Sequence, residues 1–203
     1  SGPAFQTGSA AATGTPTVFE AASTYYEDIA YDANTQKVVI VYSDQGNSNA
    51  GTAVVGTVSG NTISFGSPVV WEATNGVRCR IAYDTNAQKV VIGYTDDGNS
   101  GYGTAIVGTV SGTSISFGTP VVFRSADTIM YDITYDSNAQ KVVIAHRYQQ
   151  SPYGGYGIVG TVSGTSISFG SPTVFNNAST GRVRAEYDTN AQKVVFAYED
   201  AGN

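Results

Sequence analysis

The sequence predicts an all-β domain: a four-bladed β-propeller of four-stranded antiparallel blades. Three observations predict it. A 52-residue period runs through the chain, each period carries four short strand signals, and the two chain ends complete one another. Phe19–Val70, Trp71–Val122 and Phe123–Val174 are successive copies, and Phe175–Asn203 begins a fourth. The phrase Tyr31-Asp32-Ala33-Asn34-Thr35-Gln36-Lys37-Val38-Val39 returns from Tyr83 to Val91, from Tyr135 to Val143 and from Tyr187 to Val195. A period of this length marks stacked or radially arranged supersecondary units.

Each unit reads as four strands in order. Strand A, Asp28–Tyr31, stops at Asp32-Ala33-Asn34, whose short polar side chains bond nearby backbone and turn the chain. Strand B, Lys37–Tyr42, is almost wholly apolar, as a strand covered on both faces reads. Strand C, Thr52–Val58, ends at Ser59-Gly60, and strand D, Thr62–Val70, follows. Strand D carries Pro68, repeated as Pro16, Pro120 and Pro172. Proline donates nothing to a ladder, so D is the outer edge.

The ends predict closure. Thr13–Phe19 aligns with Phe65–Trp71 and supplies a strand D, while Ala4–Ser9 aligns weakly with strand C. Phe175–Asn203 supplies strands A and B, and only the counterparts of Ser48–Thr52 are missing from the circular register. The reading is one domain over 1–203, with repeats 19–70, 71–122, 123–174, and 175–203 completed by 1–18. A monomer is the simplest closure, and two chains sharing an eight-bladed ring is the alternative. A three-fold trefoil leaves the partial fourth unit without a place. One register at the start of strand A holds Asp28, Arg80, Asp132 and Arg184, so each acid of a closed ring lies between two bases. This predicts a structural central ring of salt bridges. Losing one partner costs about 3–5 kcal/mol if the ring is desolvated and under about 1 if it is exposed, so Arg80→Asp lowers the melting temperature.

Composition narrows the function. Charged residues are 13% of the chain, with 24 Gly and 14 Tyr, which suits a β protein with many tight turns. A net charge of −6 and a pI near 4.5 argue against nucleic acid, whose binding rests largely on phosphate neutralisation. No apolar run approaches the ~18 residues of a membrane span, so no membrane insertion is expected. One cysteine excludes an intramolecular disulfide. The opening Ser1-Gly2, without methionine or signal-like segment, reads as a processed or excised start.

Two stretches carry a resemblance: Tyr83-Asp84-Thr85-Asn86-Ala87-Gln88-Lys89-Val90-Val91-Ile92 and Gly108-Thr109-Val110-Ser111-Gly112-Thr113-Ser114-Ile115-Ser116-Phe117-Gly118. The chain resembles, over about nine tenths of its length, the tandem repeats of bacterial and marine-phage surface or tail-fibre-like proteins. By architecture alone it is also similar to propeller lectins, a looser analogy. The resemblance implies a displayed recognition module, extracellular or on a virion surface. It supplies no catalytic motif and no binding residue.

Comparing copies points to one loop face. The A-to-B and C-to-D turns are nearly invariant, whereas the D-to-A and B-to-C loops diverge. A fixed scaffold with one diversified face separates stability from specificity. Neutral drift with geometrically constrained turns is the competing explanation. The third B-to-C loop departs furthest, running from His146 through Arg147-Tyr148-Gln149-Gln150-Ser151-Pro152-Tyr153-Gly154-Gly155 to Tyr156-Gly157. Aromatic faces and planar polar groups suit a sugar ring, so Arg147, Tyr148, Gln149, Tyr153 and Tyr156 are candidate ligand-binding residues, extended by Tyr25, Tyr26, Arg78 and Tyr102. The competing reading packs these tyrosines against their own loop.

Other conspicuous residues read as structural. His146, the only histidine, stands where other copies have Tyr42, Tyr94 and Tyr198, and Cys79 has no second cysteine or nearby base in sequence. Trp71 aligns with Phe19, Phe123 and Phe175, a packing position. Asp44, Asn47, Asp96, Asp97, Asn99 and Asp200 invite a calcium reading, yet the motif lacks a terminal bidentate glutamate and reads better as Asx turns. No metal and no cofactor are expected. The leading expectation is a non-enzymatic module binding cell-surface glycan. A structural spacer or assembly module of a phage fibre or bacterial surface protein is the runner-up. Glycan hydrolysis by Glu27, Asp28, Asp132 or Glu186 is the weakest reading, since it needs two carboxylates at a set spacing.

Overall fold

The computed structural model describes residues 6, 7, 9, 10, 14 and 16–202. It is all-β, and every strand pairing is antiparallel. After a two-residue pair, β1 (Gln6–Thr7) and β2 (Ser9–Ala10), the first unit holds β3 (Thr24–Asp32), β4 (Lys37–Asp44), β5 (Ala50–Ser59), β6 (Thr62–Phe65) and the start of β7 (Val69–Glu72), whose last two residues open the second. The second holds β8 (Gly76–Asp84), β9 (Lys89–Asp96), β10 (Tyr102–Ser111) and β11 (Ser114–Phe117). One long strand, β12 (Val121–Asp136), ends the second unit and begins the third, which continues with β13 (Lys141–Tyr148), β14 (Gly155–Ser163), β15 (Ser166–Phe169) and β16 (Thr173–Asn176). The fourth holds β17 (Thr180–Asp188) and β18 (Lys193–Asp200).

Strand D differs from the single run its sequence implies. It is two short strands, β6 and β7, both on the outer side of β5. The Gly66 N–H closes the first piece onto the Val55 carbonyl at 2.9 Å, and pairing resumes at Val69, beyond Pro68. Proline interrupts the ladder because it has no N–H to contribute. The connections from D to A also differ between units, for an electrostatic reason. Glu20, Glu72 and Asn176 occupy one position, and their side-chain oxygens accept from Ala22, Thr74 and Ala178 N–H at 3.0, 2.9 and 3.1 Å. Arg124 stands there in the third unit and can only donate. No such turn forms, and β12 runs through.

Side chains of each strand B alternate between the neighbouring units. Val90 and Ile92 join Val39, Val41 and Val55 between units one and two, while Val91 joins Ile133, Val142 and Ile144 between units two and three. Ala145, Val183 and Ala185 continue the series into unit four. A strand covered on both sides has to be apolar throughout, which is the pattern read in Lys37–Tyr42.

The series stops at both ends. Val195, whose counterparts Val39 and Val91 are fully buried, is 54% exposed, and β18 pairs only with β17 among the described residues. On the first unit Tyr31 and Val58 are 56% and 59% exposed, beside a groove of about 490 Å³ that also touches Gln36, Lys37, Val38 and Thr57. The expected closure by residues 1–18 is not formed as strand pairing among the described residues: Gln6–Thr7 pairs with Ser9–Ala10, residues 16–18 lie in no strand, and Val18 is 77% exposed. Gly14 still bears on it. A Cβ at Gly14 would lie 2.1 Å from the Asn61 carbonyl oxygen. At Gly66 and Gly118, successive 52-residue counterparts, the same contact is 1.8 Å, with Thr113 and Thr165. Gly14 thus meets the C-to-D turn of unit one as a D strand meets the unit after it.

Candidate functional site

The two loop faces are held in different ways. On the invariant face the turn aspartates accept twice: Asp32 Oδ1 from Asn34 and Thr35 N–H, Asp84 from Asn86 and Ala87, Asp136 from Asn138 and Ala139, and Asp188 from Asn190 and Ala191. The Tyr83 hydroxyl accepts from Asn34 N–H at 3.2 Å, and Tyr135 repeats this with Asn86 at 3.3 Å, stitching units two and three each to the one before. These turns are fixed because they hold the scaffold, so their invariance follows from structure alone.

On the other face, strand A of every unit contains a β-bulge opposite strand B. In three units a residue with left-handed backbone forms it: Tyr26 (φ 59°), Arg78 (φ 52°) and Arg182 (φ 49°). Non-glycine residues rarely adopt this region, and bulges of this kind re-aim side chains. Here aromatic and guanidinium groups converge around Tyr131 of the third unit. Arg78 lies 6.0 Å from the Tyr26 ring, and Arg147 lies between Tyr131 and Tyr153 at 5.9 and 5.8 Å. Arg147 donates to the Thr180 carbonyl at 3.0 Å and to Gln149 Oε1 at 3.2 Å, while the Tyr131 hydroxyl donates to the same carbonyl at 3.4 Å. Burial raises the Tyr131 pKa; the charges of Arg147 and Arg78 and the Arg182 N–H oppose the rise. The loop carrying Tyr153 is pinned by its backbone, since Thr180 N–H donates to the Tyr153 carbonyl at 3.1 Å and Gln149 N–H to Asp127 at 3.0 Å. Tyr153 stays 42% exposed and Tyr26 40%, so both remain partly open to solvent beside their arginines.

The remaining loop tyrosines have a different place. Tyr148 stacks on Tyr156 at 3.9 Å, and the Arg124 guanidinium covers Tyr148 at 3.6 Å. Both faces of Tyr148 are therefore occupied by its own unit. His146 is fully buried against Phe123, Tyr148 and Tyr156, and neither ring nitrogen has a hydrogen-bond partner. Burial pushes its pKa down to about 3, with Arg124's charge acting the same way and only a weak approach to the Ile144 backbone, short of hydrogen-bond geometry, opposing it.

Of the candidates read from sequence, Tyr26, Arg78, Arg147, Gln149 and Tyr153 thus belong to one aromatic and guanidinium cluster of this loop face, called the mouth below, and Tyr25 adjoins it at 6.1 Å from Tyr26. Tyr148 and Tyr156 form a packed stack, and Tyr102 sits half-buried at the start of β10. Tyr131 and Arg182, missed as site residues, belong to the mouth. Arg124 was legible only by noticing a base where other copies have Glu20, Glu72 and Asn176.

The four register residues Asp28, Arg80, Asp132 and Arg184 make no ion pair with one another. Asp28 accepts from Ile81 N–H and Asp132 from Ala185 N–H, both at 2.9 Å and both across a unit boundary. Each also accepts from the next residue's N–H, and Arg80 and Arg184 donate to the carbonyls of Cys79 and Val183. The acids are clips onto neighbouring backbone. Burial raises the Asp28 pKa against those hydrogen bonds.

Cys79 is buried, donates to the Tyr26 carbonyl at 3.2 Å, and is pushed up to about 12 by burial, far from a reactive thiolate. Trp71 packs edge-on against Tyr94 at 4.6 Å. Asp44, Asp96 and Asp200 accept from N–H groups of their own loops. No helix among the described residues is long and apolar enough to cross a membrane. Comparison with protein-family models and with curated proteins returned no match.

Proposed function

We propose that this chain is a non-enzymatic recognition module that binds cell-surface glycan at the mouth formed by Tyr26, Arg78, Tyr131, Arg147 and Tyr153. One observation carries the reading: aromatic and guanidinium side chains from three units meet there, with Tyr26, Arg78 and Tyr153 on left-handed backbone. Ring faces cover the apolar face of a sugar, and planar donors reach its hydroxyls. The carboxylates of Asp28 and Asp132 hold neighbouring backbone, a structural duty that favours binding over catalysis.

The scaffold in this reading is a four-bladed propeller closed by residues 1–18, displayed extracellularly or on a virion, as in the bacterial and phage surface proteins it resembles. The Gly14 contact supports closure, as does the exposure of Tyr31, Val58 and Val195 at the open ends. Burying one such aliphatic side chain is worth about 1.5–3 kcal/mol, so uncovered ends favour being covered. The same ends also favour a second reading, an assembly module whose copies close one another into an eight-bladed ring.

The test is binding to an array of glycans and bacterial surface polysaccharides, with Arg147→Ala/Tyr153→Ala as the site variant. Loss of binding in a variant that still unfolds cooperatively, with the melting temperature lowered only by the lost Arg147 contacts, supports the lectin reading. A folded parent that binds no glycan, but whose mass doubles with concentration, overturns it in favour of assembly.

A further inference from the structure

We infer that the ligand at this mouth is acidic: a glycan bearing carboxylate or sulfate groups, held by the guanidiniums of Arg78, Arg147 and Arg182. This rests on the glycan-binding reading and narrows it. The four lysines, Lys37, Lys89, Lys141 and Lys193, each begin a strand B and so lie at the invariant turn face. The arginines are elsewhere: Arg78 and Arg182 on the bulges, Arg80 and Arg184 two residues further along strand A, Arg124 and Arg147 toward the opposite ends of β12 and β13. A chain of net charge −6 thus keeps every lysine at the invariant turn face, with four arginines toward the other face and Arg80 and Arg184 at mid-strand. Solubility needs no such division. Arginine differs from lysine in its planar fork, which matches the paired oxygens of carboxylate and sulfate.

The guanidiniums at the mouth also retain capacity for an anion. Arg78 rests on the Tyr26 ring, and Arg147 bonds only neutral oxygens, of Thr180 and Gln149. Arg182 meets Glu199 at 3.4 Å, but its side chain is 89% exposed and the glutamate 53%, so the pair is weakly held. Other acids lie close by and are engaged elsewhere: Glu27 accepts from the Thr24 hydroxyl, and Asp28 and Asp132 accept from Ile81 and Ala185 N–H. An incoming anion replaces water at these arginines and gains charge-assisted hydrogen bonds, while Tyr26 and Tyr153 offer their rings to the sugar.

The experiment is binding to immobilised polygalacturonate, dextran sulfate and plain dextran, with the array run alongside. The expected result is binding to one charged polymer and not to dextran, weakened about tenfold or more by Arg78→Ala and by Arg182→Ala, unchanged by Lys37→Ala, and only partly restored by Arg78→Lys. Preference between the first two polymers separates carboxylate from sulfate. Binding confined to neutral glycans on the array, insensitive to Arg78→Ala, overturns the acidic class and leaves glycan recognition standing. Capture by both charged polymers, weakened equally by Lys37→Ala, overturns it as nonspecific attraction. Failure to bind either charged polymer also overturns it, and silence across the array removes the underlying reading too.

Discussion

Units two and three share a scaffold and differ at three linked positions. Unit two has Glu72, Tyr94 and Asp96: Tyr94 donates to Glu72 Oε2 at 3.3 Å, Glu72 Oε1 holds its turn, and Asp96 accepts from Asn99 N–H. Unit one repeats this with Glu20, Tyr42 and Asp44. Unit three has Arg124, His146 and Tyr148 instead. Two acids become a base and an aromatic ring, and the buried phenol becomes an imidazole with no partner. The difference teaches that one unit gave up hydrogen bonding beneath its loops while acquiring a cationic, aromatic loop end. Such a local conflict inside a consistent scaffold is where function is expected.

The largest effect comes from cutting the intact version. Tyr94→Ala removes a fully buried ring and is expected to cost about 3–5 kcal/mol in denaturant unfolding. His146→Ala costs less, because that truncation also deletes two unpartnered nitrogens. Next comes pH. The unfolded chain protonates His146 below about 6.5, the folded chain only near 3. The contribution of neutral His146 is therefore complete above pH 6.5 and is lost as pH falls from 6.5 toward 3. His146→Phe should flatten that part of the stability profile and stabilise the protein at neutral pH by about 1–3 kcal/mol, read from the urea midpoint. A lower midpoint would show that the imidazole is satisfied after all.

Smaller effects follow. Asp28→Ala leaves the Ile81 N–H without its acceptor and should cost about 1–2 kcal/mol, whereas Arg80→Ala costs less, since the acid holds backbone and not the base. Equal losses would restore the salt-bridge ring read from the alternating register. Tyr148→Ala removes one stack and one cation–π contact, about 1–2 kcal/mol together. Arg182→Ala, on a solvent-exposed pair, should shift stability by under about 0.5 kcal/mol.

Strand order, the apolar B strands and the proline-marked edge were legible because burial on two faces and a missing donor leave signatures in one sequence. The register of Asp28, Arg80, Asp132 and Arg184 was legible too, but their partners were not: an aspartate bonded to a backbone N–H leaves no mark on the residue supplying it. The mouth was half legible. Tyr26, Arg78 and Tyr153 stood out as divergent loop residues, yet nothing in Tyr26, Arg78 or Arg182 announces a left-handed bulge, since glycine is absent there. Tyr148 looked like a sugar platform because sequence cannot show that Arg124, 24 positions earlier, already covers it.

The most direct measurement is glycan-array binding by three proteins side by side: the parent, Arg147→Ala/Tyr153→Ala, and Tyr148→Ala. The account predicts that both variants melt earlier than the parent while still unfolding cooperatively, since Arg147 holds the Thr180 carbonyl and Gln149 as Tyr148 holds its stack; the double variant loses binding and Tyr148→Ala still binds. A double variant that binds like the parent, with binding lost in Tyr148→Ala alone, would contradict it.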